Sequence, residues 1–301
     1  MILGRLAHVA FDVPDLQAAI DFYETVLGLA AIARTDACVY LSGGRTATYE
    51  VRLRAGEARL DHLAFSVDSL ATAVEHLEYE ELDVSDEPGV RGAVGTCLPG
   101  GQVIELIEES APVGYRTSPR APALNHRGVG PVTIDHITLL SDDIQADAEF
   151  AVDRLGFRIT DSVRPPGKPW GNTHMRVGTQ HHDLALLRGA GDDRPELHHV
   201  CFAVPSVSEL VRLADSLATR GMALDASIGR HEAGNNIFLY FKDPFGQRLE
   251  VNTDMARVDP AAPPNVIEAP VPFDAWRPGR PPALSAGTAT RDGRRTSRLV
   301  A

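Results

Sequence analysis

His231, Tyr240 and Glu250 fall in one short segment, GRHEAGNNIFLYFKDPFGQRLE (229–250), where Asp243-Pro244-Phe245-Gly246 reads as the turn between two strands. Upstream, His136 stands in TIDHITLL and His199 in LHHVCFAV, both strand-like stretches. Two histidines and one carboxylate from separate strands form the ligand set of a non-haem Fe(II) oxygenase, in which one face of the metal stays open. The remaining polar groups are then placed to serve as acid–base partners beside the ion. These residue types point to an enzyme.

The elements that must position them recur. RLAHVAFDVPDLQAAIDFYETVLGL begins at residue 5, RLDHLAFSVDSLATAVEHL at 59, TIDHITLLSDDIQADAEFAVDRLGF at 133 and ELHHVCFAVPSVSELVRLADSLATRGM at 196. Each is a strand carrying a histidine (His8, His62, His136, His199), a polar or proline break and an amphipathic helix, and β-rich segments with turn residues follow. Asp12-Val13-Pro14 reads as a helix start, and Gly28, Gly156 and Gly221 read as helix stops. The unit is β–α–β–β–β, four times over, which makes the fold class α+β. Period-two alternation puts Ile137 and Leu139 on one face and His136 and Thr138 on the other; Leu249 and Val251 likewise oppose Arg248, Glu250 and Asn252. Helices must cover the apolar faces, so the polar faces line a concave cavity. Paired units give two domains, 1–110 and 132–254. Residues 111–131, rich in Pro, Gly and Arg, read as a linker, and 255–301 as a Pro-rich tail that is disordered from about Ser285. Phe273 and Trp276 are expected to pack on the body.

Composition narrows the partners. A net charge of -12 argues against nucleic acid and anionic membrane, both of which attract positive patches. No apolar run approaches the roughly 20 residues that span a bilayer, and with a strand starting at the first residues no signal peptide is expected. Cys38, Cys97 and Cys201 are scattered and odd in number, as expected of reduced cysteines in a cytoplasmic protein. His136, His174, His181, His182, His198, His199 and His231 are seven of the 11 histidines; as unrelated core residues, each would need its own buried partner. His174 reads equally as a pocket wall and as a surface residue.

Gly229, His231, Leu239-Tyr240, Asp243-Pro244, Gly246 and Glu250 match without gaps a glycine-x-histidine, apolar-tyrosine, acidic-proline-x-glycine and glutamate signature. On these residues the chain resembles the type I extradiol ring-cleavage dioxygenases of the vicinal-oxygen-chelate superfamily, the catechol 2,3-dioxygenase kind, over about residues 1–254. The resemblance implies two vicinal-oxygen-chelate domains, with His136, His199 and Glu250 as metal ligands. It implies His182 as the acid–base histidine, and His231 and Tyr240 as the pair that hydrogen-bonds the substrate oxygens. It also settles the doublets. A histidine-aspartate pattern selects His182, followed by Asp183, and a histidine-histidine-valine pattern selects His199, followed by Val200. Their neighbours His181 and His198 are then expected to face the helix or solvent side, without chemistry. The implied cofactor is Fe(II), with Mn(II) suiting the same donors. The implied co-substrate is O2, the partner a small aromatic diol, the product a muconic semialdehyde and the assembly a homo-oligomer.

His8, His62 and Glu105 occupy the repeat positions of His136, His199 and Glu250, but TATYEVRLR brings no histidine to the place of His182, and RGAVGTCLPGGQ supplies neither histidine nor tyrosine. The N-terminal site is expected to be vestigial, with His8 and Glu105 as a buried polar pair. Two rival functions share the fold. A glyoxalase-like lyase or isomerase would draw two glutamates from facing modules, and a drug-sequestering protein would lack the ligand triad. Pocket walls are expected from 164–176, from Ala226 to Asn236 and from near Trp276. Arg164, Arg176, Arg230 and Arg248 are candidates to meet an acidic substituent.

Overall fold

The β–α–β–β–β unit recurs four times along the chain. In the computed structural model residues 3–43, 48–110, 128–130, 133–189, 196–269, 272–276 and 287–291 are described. The first unit contains β1 (Leu3–Val13), α1 (Leu16–Phe22), β2 (Ala30–Arg34), β3 (Cys38–Ser42) and β4 (Val51–Ala55). The second contains β5 (Arg59–Val67), the single turn α2 (Leu70–Ala73), β6 (Glu80–Leu82), β7 (Val90–Cys97) and β8 (Val103–Glu109). The third runs β9 (Thr133–Ser141), α3 (Ile144–Asp153), β10 (Arg158–Val163), β11 (Thr173–Arg176) and β12 (Leu184–Arg188). The fourth runs β13 (Glu196–Ala203), α4 (Val207–Thr219), β14 (Leu224–Arg230), β15 (Ile237–Lys242) and β16 (Arg248–Thr253). Helix α1 starts later than its sequence suggested. Asp15 caps the Ala18 amide, while Asp12 remains in β1 and pairs with Arg54 and Arg59. Gly28, Gly156 and Gly221 have φ of 75, 81 and 69°, the left-handed conformation of a helix stop.

Among the described residues the strands form two sheets, one ordered β2-β3-β4-β1-β5-β8-β7-β6 and one ordered β14-β15-β16-β13-β9-β12-β11-β10-β17, where β17 is the tail strand Asn265–Ile267. Each sheet joins two units through their antiparallel first strands, β1 with β5 and β9 with β13, and each first strand has its own unit's last strand parallel to it. Alternation sorts the faces as the sequence requires. Ile137, Leu139, Leu249 and Val251 enter one apolar core that is continuous between the two halves. Phe65 of the first half meets Phe157 of the second edge-to-face at 4.9 Å, and Phe22 meets Phe241 at 6.3 Å. Each such ring contributes roughly 2–3 kcal/mol through its burial, which holds the halves together.

The central strands depart from regular pairing at four equivalent points. The register slips by one residue at Ala7, Asp61, Asp135 and His198, each immediately before a repeated histidine. A bulge of this kind turns two successive side chains toward the same region, so strict alternation fails there.

The tail is not idle where it is described. β17 lies parallel to β10, and β18 (Thr288–Ala289) pairs with β13 while Thr290 bridges to Leu60 of the first half. Residues 288–290 are therefore paired with strands, and the rest of the stretch from Ser285, for which disorder is expected, lies almost wholly outside the described residues. The expected linker lies largely outside the described residues. Among the described residues no helix is long and apolar enough to cross a membrane.

Candidate metal centre

β9, β13 and β16 bring His136, His199 and Glu250 to one point. His136 Nε2 lies 3.2 Å from His199 Nε2 and 3.3 Å from Glu250 Oε2, and His199 Nε2 lies 3.0 Å from the same oxygen. All three residues are buried. Neighbouring ligands of a six-coordinate ion with bonds of about 2.1 Å are about 3.0 Å apart, so the donor triangle has the size of one octahedral face. The triad fits a divalent transition metal by donor type and by spacing.

The outer nitrogens are held as well. Asp135 Oδ2 accepts from His136 Nδ1 at 2.8 Å and from Asn252 Nδ2 at 2.8 Å, which leaves His136 Nε2 for an ion. His199 Nδ1 lies 2.6 Å from His198 Nδ1, and the His198 carbonyl accepts from Arg248 Nη1 at 3.1 Å. Glu250 Oε1 accepts from Asn236 Nδ2 at 2.9 Å. Asp135 is not singled out by the sequence, which places Asn252 on the Glu250 face and Asn236 at the end of a wall segment but gives neither a partner. His198 was expected to face away, but the bulge in β13 carries it into the cavity wall beside His199.

The other expected site residues converge on the same cavity of about 450 Å3, lined by His136, His182, His199, His231, Tyr240, Glu250, Thr138 and His174, among others. The His182 ring sits 4.2 Å from that of His136. Tyr240 Oη donates to Glu250 Oε2 at 2.6 Å and lies 2.9 Å from His231 Nε2. His231 Nδ1 donates to the Phe273 carbonyl at 2.9 Å, and its ring stacks on Phe238 at 3.9 Å. Asn172, His174, Ala233, Pro272 and Phe273 all come from expected wall segments, whereas Trp276 itself is 55% exposed with Arg230 5.8 Å from its ring. Of the arginines, Arg176 and Arg248 are buried on other partners, and Arg188, not a candidate from sequence, reaches the wall. His181 also differs from expectation. It precedes β12 in a bend, where alternation does not apply, and its Nδ1 lies 3.0 Å from His182 Nδ1.

Burial dictates the charges. It would lower the His136 imidazole, but the Glu250 charge and hydrogen bonds to Asp135 and Glu250 outweigh it and raise the group to about 9. Burial dominates at His199, bringing it to about 4 against the pull of Glu250. Burial would raise the Glu250 carboxyl, yet His136 and the hydrogen bonds of three histidines hold it well below the usual range. The cluster thus keeps one anion and draws one positive charge to it, a demand that a divalent ion meets with displacement of the proton. His182 is lowered well below its ordinary value by burial and then by His136, His174 and His181, so it stands as a free base. Cys201 forms a second close trio with Asp135 and His136, but burial raises its thiol well above the ordinary range, and a thiol is a poor ligand.

The N-terminal counterpart is arranged differently. His8, His62 and Glu105 are buried and their donors lie within 4.8 Å, His8 Nε2 being 3.1 Å from His62 Nε2 and His62 Nδ1 3.0 Å from Glu105. The expected His8–Glu105 pair is therefore a cluster with His62 between them. Arg52 Nη2 lies 3.3 Å from His62 Nδ1 and 2.9 Å from Asp61, with Nη1 on Glu87 at 2.8 Å. Tyr49 Oη, absent from the sequence reading, lies 3.2 Å from His8 Nε2.

The chain is 27% identical over 294 residues to a metapyrocatechase of Geobacillus stearothermophilus, an alignment covering 91% of this chain and 89% of that one. Among solved structures, the 2,3-dioxygenase LapB of Pseudomonas sp. KL28 superposes with a TM-score of 0.80 at 25% identity, covering 89% of this chain and 98% of that one. The Mn(II)-bound glyoxalase of Novosphingobium aromaticivorans superposes with a TM-score of 0.78 at 28% identity, covering 97% of each. The model of the Glyoxalase/Bleomycin resistance protein/Dioxygenase superfamily matches residues 5–130 and again 133–251, one match to each half, and the chain belongs to that superfamily.

Proposed function

We propose that the chain is an extradiol dioxygenase that inserts both atoms of O2 into a catechol-type ring and cleaves it beside a hydroxyl, giving a muconic semialdehyde-type product. The observation that carries this reading is the convergence of His182, His231 and Tyr240 on the His136–His199–Glu250 triangle within one cavity. The triad would hold Fe(II), and Mn(II) suits the same donors. When bound, the ion supplies Lewis acidity toward the substrate hydroxyls and redox chemistry toward dioxygen.

The protein's own share follows from its contacts. His182 is buried and uncharged, so its free ring nitrogen takes a hydroxyl proton as the diol binds and returns it when the ring opens. Tyr240 Oη and His231 Nε2 sit side by side on the Glu250 edge of the triad, where both can hydrogen-bond a hydroxyl of the diol. Leu187, Ala233, Pro272 and Phe273 surround the ring with apolar surface that excludes water.

The likeness to a Mn(II)-bound glyoxalase favours a second reading, a metal-dependent isomerase or lyase. Against it, among the described residues that line the cavity Glu250 is the only carboxylate, and no second glutamate faces it there. One experiment separates the two. Protein purified without oxygen is assayed for metal, then given catechol in air and, separately, a methylglyoxal–glutathione adduct. Uptake of one O2 per catechol with a yellow product supports the dioxygenase, and turnover of the thiol adduct alone overturns it.

A further inference from the structure

His182 does not stand alone at the cavity wall. Its Nδ1 lies 3.0 Å from His181 Nδ1, and His181 Nε2 lies 3.0 Å from Asp161 Oδ2 on β10. The other Asp161 oxygen accepts from Asn265 Nδ2 of β17 at 3.0 Å. The middle ring is fixed from several sides. The His181 amide donates to the Ala256 carbonyl at 3.0 Å, and Gln180 ties the His182 carbonyl to that of Asp135 with two 3.0 Å bonds. Gly234 lies so close that a Cβ there would come within 3.3 Å of His181 Nδ1. Both histidines are buried, whereas the Asp161 side chain keeps 17% of its surface in solvent.

We propose that Asp161 and His181 are positioning residues that fix the tautomer of His182, so that its Nε2 faces the cavity without a proton. A carboxylate only accepts, so His181 Nε2 carries the hydrogen of the Asp161 contact. Where His181 carries this single N–H, its Nδ1 is left as an acceptor. The 3.0 Å contact between the two Nδ1 atoms then needs the hydrogen of His182, and His182 Nε2 is left with its lone pair. The logic is that of a carboxylate orienting a base, extended by one ring. An amide at position 161 could donate to His181 Nε2; His181 would then carry its hydrogen on Nδ1, and His182 would turn its N–H toward the cavity.

The inference rests on His182 being the base of the proposed reaction, but its first test does not. Long-range proton–nitrogen correlation on the metal-free, full-length protein with 15N-labelled histidine reads each ring's tautomer, and His182→Asn assigns the signal. The wild type is expected to show His182 protonated at Nδ1, and Asp161→Asn to show it protonated at Nε2. A wild-type Nε2–H tautomer, or no change in the variant, overturns the assignment. In the metal-loaded enzyme Asp161→Asn is expected to keep metal content and the KM for catechol while kcat falls about 10- to 100-fold, the usual cost of an outer-shell partner. An unchanged kcat overturns the proposal, while failure of the wild type to oxidise any catechol would overturn the functional reading instead.

Discussion

Tyr49 occupies in the N-terminal half the position that His182 occupies in the C-terminal half: Val51 pairs with Val9, one residue past His8, as Leu184 pairs with Ile137, one residue past His136. The same registers equate His62 with His199 and Glu105 with Glu250. Ala185 of the cavity wall corresponds to Arg52, and the guanidinium of that residue brings a fixed cation to the N-terminal cluster. A buried positive charge beside His62 repels a metal ion and meets the demand of Glu105, Asp61 and Glu87 for a counter-charge.

The N-terminal cluster is accordingly expected to hold no metal. Wild-type protein should contain about one ion per chain by elemental analysis, and His62→Ala should leave that ratio and turnover unchanged. Two ions in the wild type, with half lost in the variant, would show that Arg52 does not exclude a metal.

Glu250 and His182 should separate metal binding from proton transfer. Glu250→Gln removes the one anionic donor and leaves Tyr240 and Asn236 facing an amide. Metal affinity should fall by more than the roughly 10- to 100-fold typical of an outer-shell change, with the circular dichroism spectrum retained. His182→Asn should keep the metal and bind catechol, while turnover drops by about 10²–10⁴-fold. Loss of metal in the second variant would make His182 a ligand and force the triad to be redrawn.

Asp243 connects the halves, since Tyr23 Oη donates to its Oδ2 at 3.4 Å. Burial, only partly offset by the amides of Phe245 and Gln247, raises its carboxyl from 3.8 to about 6. A raised folded-state value means that its contribution to stability is complete below about pH 4 and is lost as pH rises through about 6. Asp243→Asn keeps an oxygen for the Phe245 and Gln247 amides, which both bond Oδ1, and removes the charge. The variant should therefore be more stable than wild type at pH 8, by up to about 3 kcal/mol, and the gain should vanish near pH 4. Denaturant titrations at both pH values check this, and an equal difference at the two would sink it.

Much of this architecture was written in local pattern. Four strand–helix starts, each with a histidine, specified the repeated unit, and alternation correctly sent Ile137 and Leu139 to the core and His136 and Thr138 to the cavity. Alternation failed where the backbone leaves the regular ladder. The bulges at Asp135 and His198 and the bend at His181 place polar neighbours beside the triad, and their registers depend on pairing across more than 60 residues, as with Cys201 and His136. Tyr49 and Arg52 escaped notice for another reason. They lie in TATYEVRLR, a stretch without histidine, and their contacts to His8 and His62 exist only once β4 lies beside β1. Trp276 was expected to pack by its size, but a tail residue buries its ring only where the body offers a matching surface, and Phe273 takes that place.

Phe273 gives the tail a role at the cavity. Its carbonyl accepts the His231 Nδ1 hydrogen, and its ring lies 4.7 Å from His231, 5.3 Å from Phe238 and 6.0 Å from Tyr240. The backbone contact survives Phe273→Ala, whereas the apolar wall and the edge that fixes the His231 ring do not. The apparent KM for a catechol should therefore rise by about 3- to 30-fold, corresponding to roughly 0.7–2 kcal/mol of lost ring packing, with a smaller effect on kcat. Truncation after Asp254 removes that wall together with β17 and should add a fall in melting temperature. Unchanged KM in the point variant, measured with metal content held equal, would show that Phe273 covers the cavity without shaping what binds in it.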